Sequence, residues 1–322
     1  MPKVYIAGKI QDNGIELLKR KGFKVDLNLT GKDLTREELK DIFSNYEAII
    51  SMPANNVDGD LLSTASKKLK VIANYAVGFD NIDAKAAKKR AIIVCNTPGV
   101  ANESVAEHTF AMIFALNKQL KVADRFVREG KFKQWDPNAF LSHQLWGQTI
   151  GIIGLGRIGT FVGQIAYGGF RMNILYCDIS RSEDFELLCE ARYTDIKSLL
   201  GLSDIVTLHV PLTAKTKGMI STAEFKLMKK SAILINTSRG PIVEEQALIW
   251  ALKEKEIAAA GLDVYEHEPE VSAELIKLSN VILTPHTASA TFETREKMSE
   301  ITAKNIIDVF EGKDPVGLIK PD

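Results

Sequence analysis

The chain has 322 residues, of which 45% are hydrophobic and 25% are charged, a composition that is typical of globular proteins and excludes intrinsic disorder. Its 41 basic residues balance its 41 acidic residues, so the formal net charge is +0. A general nucleic-acid or membrane-surface binder usually carries an excess of basic residues, and the balanced charge therefore argues against both classes.

No apolar run approaches the roughly 18 residues of a membrane-spanning helix, and the first residues lack the apolar core of a signal peptide. The three cysteines, Cys95, Cys177 and Cys189, show no paired spacing, which predicts neither a disulfide framework nor a zinc site. We therefore expect a cytoplasmic protein that binds no metal, no nucleic acid and no membrane.

Short apolar runs rich in β-branched residues recur along the chain, and stretches with helical spacing separate them. Several runs are almost continuously apolar, as a strand covered on both faces by helices requires. Their alternation with helices over the whole length predicts an α/β fold with doubly wound parallel sheets. The predicted strands are Val4–Ala7, Phe23–Leu27, Ala48–Ser51, Val71–Asn74, Ile92–Cys95, Thr149–Ile153, Asn173–Cys177, Ile205–Val210, Ala232–Asn236, Ala258–Asp263 and Val281–Thr284.

One long helical pattern interrupts this alternation, from about Asn102 to Lys131, and predicts a single helix that joins the two halves of the chain. The polar loop that follows contains Trp135. A second helical stretch, Glu293–Phe310, is expected to end at Gly312.

The strongest local signal is a glycine turn between a predicted strand and a helical stretch. In a dinucleotide-binding fold Gly154 would make the tight turn, Gly156 would let the backbone approach the diphosphate, and Gly159 would allow close packing of helix on strand. Asp178 lies 19 residues after Gly159, at the end of the next predicted strand, where a carboxylate would bind the adenosine ribose hydroxyls. This carboxylate predicts NAD, because it would repel the 2′-phosphate of NADP, but the nearby Arg181 leaves NADP open.

Polar residues follow three later strands at their carboxyl ends, where open α/β sheets bind ligands. They are Arg239, an acidic segment with Glu266, Glu268 and Glu270, and His286. An arginine can hold a carboxylate through two parallel hydrogen bonds and polarise the adjacent carbonyl. A histidine beside a carboxylate can donate and accept a proton near neutral pH. The residues alone leave open which of the three glutamates would pair with the histidine. This trio suits the reduction of a carbonyl.

These segments, in order over essentially the whole chain, resemble the D-isomer-specific 2-hydroxyacid dehydrogenases. The motifs that carry the resemblance are Gly154–Gly159 with Asp178, Ile235–Leu248, Gly261–Pro269, Asn280–His286 and Asn74–Asp83. Within the family, the segment 74–81, the Trp135 loop and the lack of an appended regulatory domain most resemble the glyoxylate/hydroxypyruvate reductases.

The resemblance implies a role for each matching residue. Arg239 would bind the carboxylate and carbonyl oxygen of a 2-oxo acid, His286 would donate the proton during reduction, and Glu268 would pair with His286. The implied substrate contacts are the N–H groups of Val77 and Gly78, and Trp135 would shape the site of a partner subunit. Met52 either contacts the substrate or packs in the core.

The implied cofactor contacts are Gly154, Gly156, Arg157, Ile158 and Gly159 at the diphosphate, Asp178 at the ribose, Val210, Thr237 and Ser238 along the cleft, and Asp263 at the nicotinamide amide.

The resemblance also implies a flavodoxin-like substrate domain of residues 1–99 and 288–322, into which a Rossmann dinucleotide-binding domain of residues 100–287 is inserted. The helix that begins near Asn102 would then cross between the domains and form the contact of a homodimer.

Two alternative functions stay open. One is the oxidation of 3-phosphoglycerate, which usually needs basic residues near the substrate loop, where this chain has Asn55 and Asn56. The other is a binding protein that senses NAD, like the family's transcriptional corepressors.

Overall fold

The computed structural model describes residues 1–320 of the chain. The strands are β1 (Lys3–Ile6), β2 (Lys24–Leu27), β3 (Ala48–Ser51), β4 (Val71–Asn74), β5 (Ile93–Cys95), β6 (Thr149–Ile153), β7 (Asn173–Cys177), β8 (Arg192–Tyr193), β9 (Ile205–Leu208), β10 (Ile233–Asn236), β11 (Ala259–Leu262) and β12 (Val281–Leu283). The helices are α1 (Asp12–Arg20), α2 (Arg36–Asn45), α3 (Gly59–Ser63), α4 (Ala84–Lys89), α5 (Asn102–Asn117), α6 (Leu120–Arg128), α7 (Arg157–Phe170), α8 (Glu183–Cys189), α9 (Ile196–Leu202), α10 (Thr222–Phe225), α11 (Glu245–Lys253), α12 (Ala273–Lys277) and α13 (Phe292–Phe310).

One compact unit comprises Met1–Ala101 together with the chain from Ala290 onward. Its sheet is parallel, in the order β2-β1-β3-β4-β5, which is the strand order of flavodoxin-like folds. β3 and β4 are buried at every position, because apolar clusters that include helical side chains pack against the sheet. α13 packs against α1 and β4, so the end of the chain completes the unit that its beginning starts.

The second unit comprises Asn102–Ser289 and contains a parallel sheet in the order β8-β7-β6-β9-β10-β11-β12. Counted from β6 as the first strand, this is the 3-2-1-4-5-6 order of the dinucleotide-binding fold with one further strand at the edge. The sheet grows in opposite directions from β6 and β9, and a ligand cleft is expected at the carboxyl ends of these two strands. The predicted fold class, two doubly wound parallel sheets, is confirmed.

The prediction of one helix from Asn102 to Lys131 is wrong. The helix is broken into α5 and α6 at Gln119, which has a left-handed φ of +51°. Side chains of the break bond to the loop that follows α6: Gln119 Nε2 donates to the carbonyl of Leu141 at 2.8 Å, and Asn117 Nδ2 donates to that of His143 at 2.9 Å. These tertiary bonds leave no trace in helical periodicity, and no glycine or proline marks the break.

Strand ends differ in smaller ways. The apolar run predicts a strand over Ile205–Val210, but β9 ends at Leu208 and leaves His209 and Val210 in the loop beside the glycine turn. β8 was not predicted, because its two residues are both exposed and carry no apolar signal. None of the helices within residues 1–320 is both long enough and apolar enough to cross a membrane.

Candidate active site

The glycine turn lies at the carboxyl end of β6. Gly154 has a φ of +96°, and a Cβ on it would lie 2.7 Å from the carbonyl carbon of His209. A Cβ on Gly159 would lie 2.1 Å from the carbonyl oxygen of Gly154, whereas one on Gly156 would meet no atom within 4 Å in residues 1–320 other than those of its chain neighbours. Packing therefore requires the first and third glycines, while the second faces open space.

The open side of the turn is also the start of α7, with Gly156 as its N-cap. Within the described part of the chain, the N–H groups of Arg157 and Ile158 have no hydrogen-bond acceptor. These donors lie at the positive end of a 14-residue helix, and such ends bind phosphate groups. The turn thus fits the diphosphate of a dinucleotide.

Asp178 lies directly after β7 and faces this turn. Its Oδ2 accepts a hydrogen bond from the N–H of Leu155 at 2.6 Å, and its Oδ1 accepts one from the N–H of Ile179 at 2.6 Å. The side chain of Val210 borders the other side, since its Cγ1 would lie 2.8 Å from a Cβ on Gly154. The structure therefore places Asp178 and Val210 at the glycine turn, while their contacts with a coenzyme stay predictions.

His209 makes the stability of the fold sensitive to acid. Burial lowers its pKa to about 3, whereas in the unfolded chain it titrates near about 6.5. Below about pH 6.5 the imidazole of His209 is protonated in the unfolded chain but stays neutral in the folded chain. We therefore expect the free energy of unfolding to fall by about 2 kcal/mol between about pH 7.5 and about pH 5 because of this residue. Urea unfolding at the two pH values should show a smaller loss of the free energy of unfolding in His209→Gln than in the wild type. Equal losses in the two proteins would contradict the depressed pKa of His209.

Arg239 lies in the turn after β10, and the buried Asn236 shapes this turn. Asn236 Oδ1 accepts hydrogen bonds from the N–H and the hydroxyl of Ser238, at 3.0 and 2.8 Å, and its Nδ2 donates to the carbonyl of Arg239 at 2.9 Å. The hydroxyl of Thr237 lies 3.3 Å from that of Thr109 on α5. Sequence reasoning singled out positions 237–239 but missed Asn236, although an Asn before such a turn is itself a turn signal.

Gly240 joins the arginine turn to the loop that carries the glutamates. A Cβ on Gly240 would lie 1.9 Å from both the carbonyl carbon and the carbonyl oxygen of Tyr265. No side chain can occupy that space, because the atoms that would have to move belong to the backbone. The two loops are consequently packed backbone against backbone.

Gly240→Ala is therefore expected to lower the free energy of unfolding by about 3 kcal/mol, as overpacking against a fixed backbone does. The matched control is Gly168→Ala in α7, where a Cβ meets no atom within 4 Å in residues 1–320 apart from its chain neighbours and the backbone of its own helix. Helix propensity predicts a gain of about 0.5–1 kcal/mol for this control. Urea unfolding of both variants measures the difference; a Gly240→Ala protein as stable as the wild type would contradict the contact.

His286 and Glu268 form a hydrogen-bonded pair, with 2.8 Å between His286 Nδ1 and Glu268 Oε2. The other oxygen, Oε1, accepts a hydrogen bond from the N–H of Tyr265 at 3.0 Å. Because an ionised carboxylate only accepts, Nδ1 of His286 must carry the hydrogen, and Nε2 is left to exchange a proton with a ligand. Of the three candidate glutamates the structure brings Glu268 to His286, whereas Glu266 accepts from the N–H of Glu245 at 3.2 Å.

The environment of Glu268 keeps this carboxylate ionised. Burial raises its pKa, but the hydrogen bond with His286, the charge of His286, the N–H of Tyr265 and the charge of Arg239 outweigh burial, and the pKa lies below its usual value. Glu268 is therefore negative throughout the neutral range and can stabilise a positive imidazole beside it.

Asp263, which follows β11, holds the histidine loop from within the unit. Its side chain is 0% exposed. Its Oδ1 accepts hydrogen bonds from the hydroxyl of Thr284 at 2.6 Å and from the N–H of Thr287 at 2.7 Å. Its Oδ2 accepts a hydrogen bond from the N–H of Ala288 at 2.8 Å. Its carbonyl accepts from the N–H of His286, at 2.9 Å. His286 itself has a left-handed φ of +52°. These bonds support a backbone conformation that is otherwise unfavourable for histidine; the predicted contact of Asp263 with a nicotinamide stays a prediction.

His108 of α5 reaches the same network, which sequence reasoning did not foresee. Its Nε2 lies 3.0 Å from the hydroxyl of Thr284 and 3.6 Å from Oδ1 of Asp263. Since Thr284 donates its single hydroxyl proton to Asp263, His108 Nε2 must be the donor to Thr284. α5 thereby braces the loop of His286 through a polar side chain.

In the first unit, the loop after β4 presents two N–H groups. The carbonyls of Val77 and Gly78 accept hydrogen bonds from the side chains of Asn96 and Asn74, at 2.6 and 2.9 Å. Their own N–H groups have no acceptor within residues 1–320. Side-chain amides thus tie the carbonyls of this loop and leave its donors available.

The remaining two predicted residues lie in loops. Met52 follows β3 and packs against Gly8, where a Cβ would lie 2.9 Å from its Cγ; Asn55 Oδ1 accepts from its N–H at 2.8 Å. Met52 therefore lies at the carboxyl ends of β1 and β3, where the strand order of the first sheet changes direction. Trp135 is 78% exposed, and its predicted role at a partner's site stays a prediction.

Comparisons with known proteins agree with this architecture. Residues 110–288 match the model of the NAD binding domain of the D-isomer specific 2-hydroxyacid dehydrogenases. The chain is 46% identical to the glyoxylate reductase of Thermococcus litoralis, over 100% of this chain and 97% of that protein. It resembles the crystal structure of the TT0316 protein from Thermus thermophilus with a TM-score of 0.91 and 33% identity, over 99% of this chain and 100% of that one. It also resembles an acyclic imino acid reductase (Bsp5) in complex with NADPH and D-Arg, with a TM-score of 0.88, 31% identity and coverage of 99% and 100%.

Proposed function

The chain belongs to the D-isomer specific 2-hydroxyacid dehydrogenase family, and we propose that, within this family of NAD(P)-dependent enzymes, it reduces glyoxylate or hydroxypyruvate to the 2-hydroxy acid. The observation that carries the proposal is the hydrogen-bonded pair of His286 and Glu268. The loop that holds Glu268 packs directly on the turn of Arg239, at the carboxyl edge of a dinucleotide-binding sheet. A guanidinium, an imidazole and its carboxylate at that edge suit the reduction of a 2-oxo acid.

Each of these side chains would have a distinct task. When bound, the nicotinamide coenzyme would supply the hydride for the reduction. Arg239 would bind the substrate carboxylate through two parallel hydrogen bonds and polarise the neighbouring carbonyl. His286 would donate a proton from Nε2 to the carbonyl oxygen, while Glu268 stabilises the protonated imidazole before transfer and holds its Nδ1–H afterwards. In the reverse direction His286 would accept the proton from the hydroxyl group.

We extend the proposal to the loop of Val77 and Gly78. Both N–H groups lack an acceptor within residues 1–320, and both carbonyls are fixed by asparagines. Two fixed backbone donors are suited to a carboxylate oxygen, and we assign them to the carboxylate of the substrate. Met52 would limit the size of the substrate's side group, which agrees with a short acid.

An assay with several acids tests the function. Oxidation of NADH and of NADPH is followed with glyoxylate, hydroxypyruvate, pyruvate and phosphohydroxypyruvate in turn. We expect turnover with glyoxylate or hydroxypyruvate and a much lower kcat/KM with the phosphorylated acid. A preference for phosphohydroxypyruvate would replace the proposal by a phosphoglycerate dehydrogenase. No turnover with any acid, despite coenzyme binding, would replace it by a binding protein.

We further propose that the protein is a cytoplasmic homodimer. The segment from α6 to the loop after it exposes large apolar side chains that a second copy would cover, namely Leu120, Val122, Val127, Phe132 and Trp135. The three cysteines are free, as in a reducing compartment. Light scattering after size-exclusion chromatography should give a molar mass twice that of the chain. In a Val127→Glu, Phe132→Glu double variant the measured mass should shift toward that of the monomer.

A further inference from the structure

We propose that Glu186 makes this protein select NADH over NADPH, because it binds Arg181, the arginine on the segment after Asp178 that could otherwise serve a 2′-phosphate. This inference rests on the proposed function, since it specifies the coenzyme of the same site. It concerns the segment that follows β7, where Asp178, Arg181 and Glu186 lie within nine residues of each other.

The ion pair of Arg181 and Glu186 is bidentate. Arg181 Nε donates to Glu186 Oε1 at 2.8 Å, and its Nη2 donates to Oε2 at 2.6 Å. Two parallel hydrogen bonds between a guanidinium and a carboxylate fix the orientation of the arginine as well as its charge. Arg181 is 59% exposed and Glu186 only 15%, so the glutamate is the anchored partner of the pair.

A buried tyrosine anchors Glu186. The hydroxyl of Tyr176, in β7, donates to Glu186 Oε1 at 2.7 Å and accepts from the N–H of Ser182 at 2.8 Å. The hydroxyl of Tyr176 therefore fixes both Glu186 and the backbone next to Arg181 relative to β7, the strand that precedes Asp178. The hydrogen bonds from Arg181 and Tyr176 lower the pKa of Glu186 to about 2, so that it is ionised at every working pH.

The charge that remains near Asp178 is negative. With Arg181 neutralised by Glu186, the carboxylates of Asp178, Glu183 and Asp184 are left on this segment. Two other arginines lie in neighbouring elements. Arg157 begins α7 two residues after Leu155, where the family resemblance assigns it to the diphosphate. Arg192 in β8 lies opposite Leu175, which is three residues and about 10 Å back along β7 from Asp178. A ribose with free hydroxyls suits a carboxylate, whereas a dianionic 2′-phosphate needs an unpaired guanidinium.

Coenzyme binding tests the proposal without turnover. The dissociation constants of NADH and NADPH are measured by fluorescence titration for the wild type, Glu186→Gln, and a Glu186→Gln, Arg181→Met double variant. We expect the wild type to bind NADPH on the order of 100-fold more weakly than NADH. Glu186→Gln, which releases Arg181, should bind NADPH roughly 10-fold more tightly than the wild type with no change for NADH, and the double variant should lose this gain.

Two controls separate release of Arg181 from a simple change of charge. Glu190→Gln removes one negative charge from the residue after α8, which bonds to Tyr167 and not to Arg181, and should leave both constants unchanged. Arg181→Met alone should also leave both constants unchanged, because the wild type does not use this arginine for either coenzyme. This last variant tests the proposal even if Glu186→Gln fails to fold.

Several outcomes would overturn the inference. They are equal affinity of the wild type for both coenzymes, no gain of NADPH affinity in Glu186→Gln, persistence of that gain in the double variant, or weaker NADPH binding in Arg181→Met. Failure of the proposed function has a different signature: the binding pattern stands, but no 2-oxo acid is reduced with either coenzyme.

Discussion

Replacing His286 by glutamine is expected to lower kcat for glyoxylate reduction by about 100- to 10,000-fold, the usual contribution of a positioned general acid. Glutamine fills much of the space of histidine and can hydrogen-bond to Glu268, but it has no proton to give near neutral pH. The affinity for NADH should be unchanged, because the N–H groups that we propose for the diphosphate at the glycine turn are untouched. Steady-state kinetics and a fluorescence titration with NADH measure the two quantities.

The matched control for this variant is His267→Gln. His267 precedes Glu268 in the same loop, and its side chain is exposed, so its replacement should change kcat little. Turnover of the His286→Gln enzyme at the wild-type rate would exclude His286 as the proton donor. A loss of NADH affinity in parallel with kcat would instead indicate that the loop had collapsed.

Glu268→Gln is expected to lower kcat for glyoxylate reduction by about 10- to 100-fold. The carboxylate of Glu268, whose pKa lies below its usual value, stabilises a positive imidazole at His286 through a charge-assisted hydrogen bond of about 1.5–3 kcal/mol. A neutral amide at this position no longer supplies that charge, and the proton donor loses its stabilisation.

The kcat values of the wild type, Glu268→Gln and Glu266→Gln at neutral pH check this expectation. Glu266 lies two residues earlier, and its carboxylate accepts from the N–H of Glu245, so its replacement should change kcat little. A Glu268→Gln enzyme with the kcat of the wild type would contradict the role of this carboxylate.

Much of this architecture could be predicted from the sequence because local chemistry dictated the residue. Gly154 needs a positive φ, and a side chain on Gly159 would collide with the carbonyl of Gly154. The continuous burial of β9 and β10 follows from runs that have almost no polar residue. Such features depend on neighbours along the chain, and a pattern of residue types is enough to reveal them.

The rest depends on contacts that periodicity does not encode. His108 has the spacing of a helical packing residue, yet it donates to Thr284 in a loop 176 positions away. Nothing adjacent to Gln119 predicts that its side chain bonds Leu141 and breaks the helix. Arg181 was an open question for coenzyme choice in the sequence, because its partner Glu186 could be identified only once α8 was placed.

The direct backbone contact between Gly240 and Tyr265 restricts how this enzyme can be redesigned. Neither loop can be lengthened or re-angled alone, so libraries that insert residues into either should yield mostly inactive clones. The substrate range is better varied by substitutions at positions such as Met52, where a different side chain does not require the backbone to move.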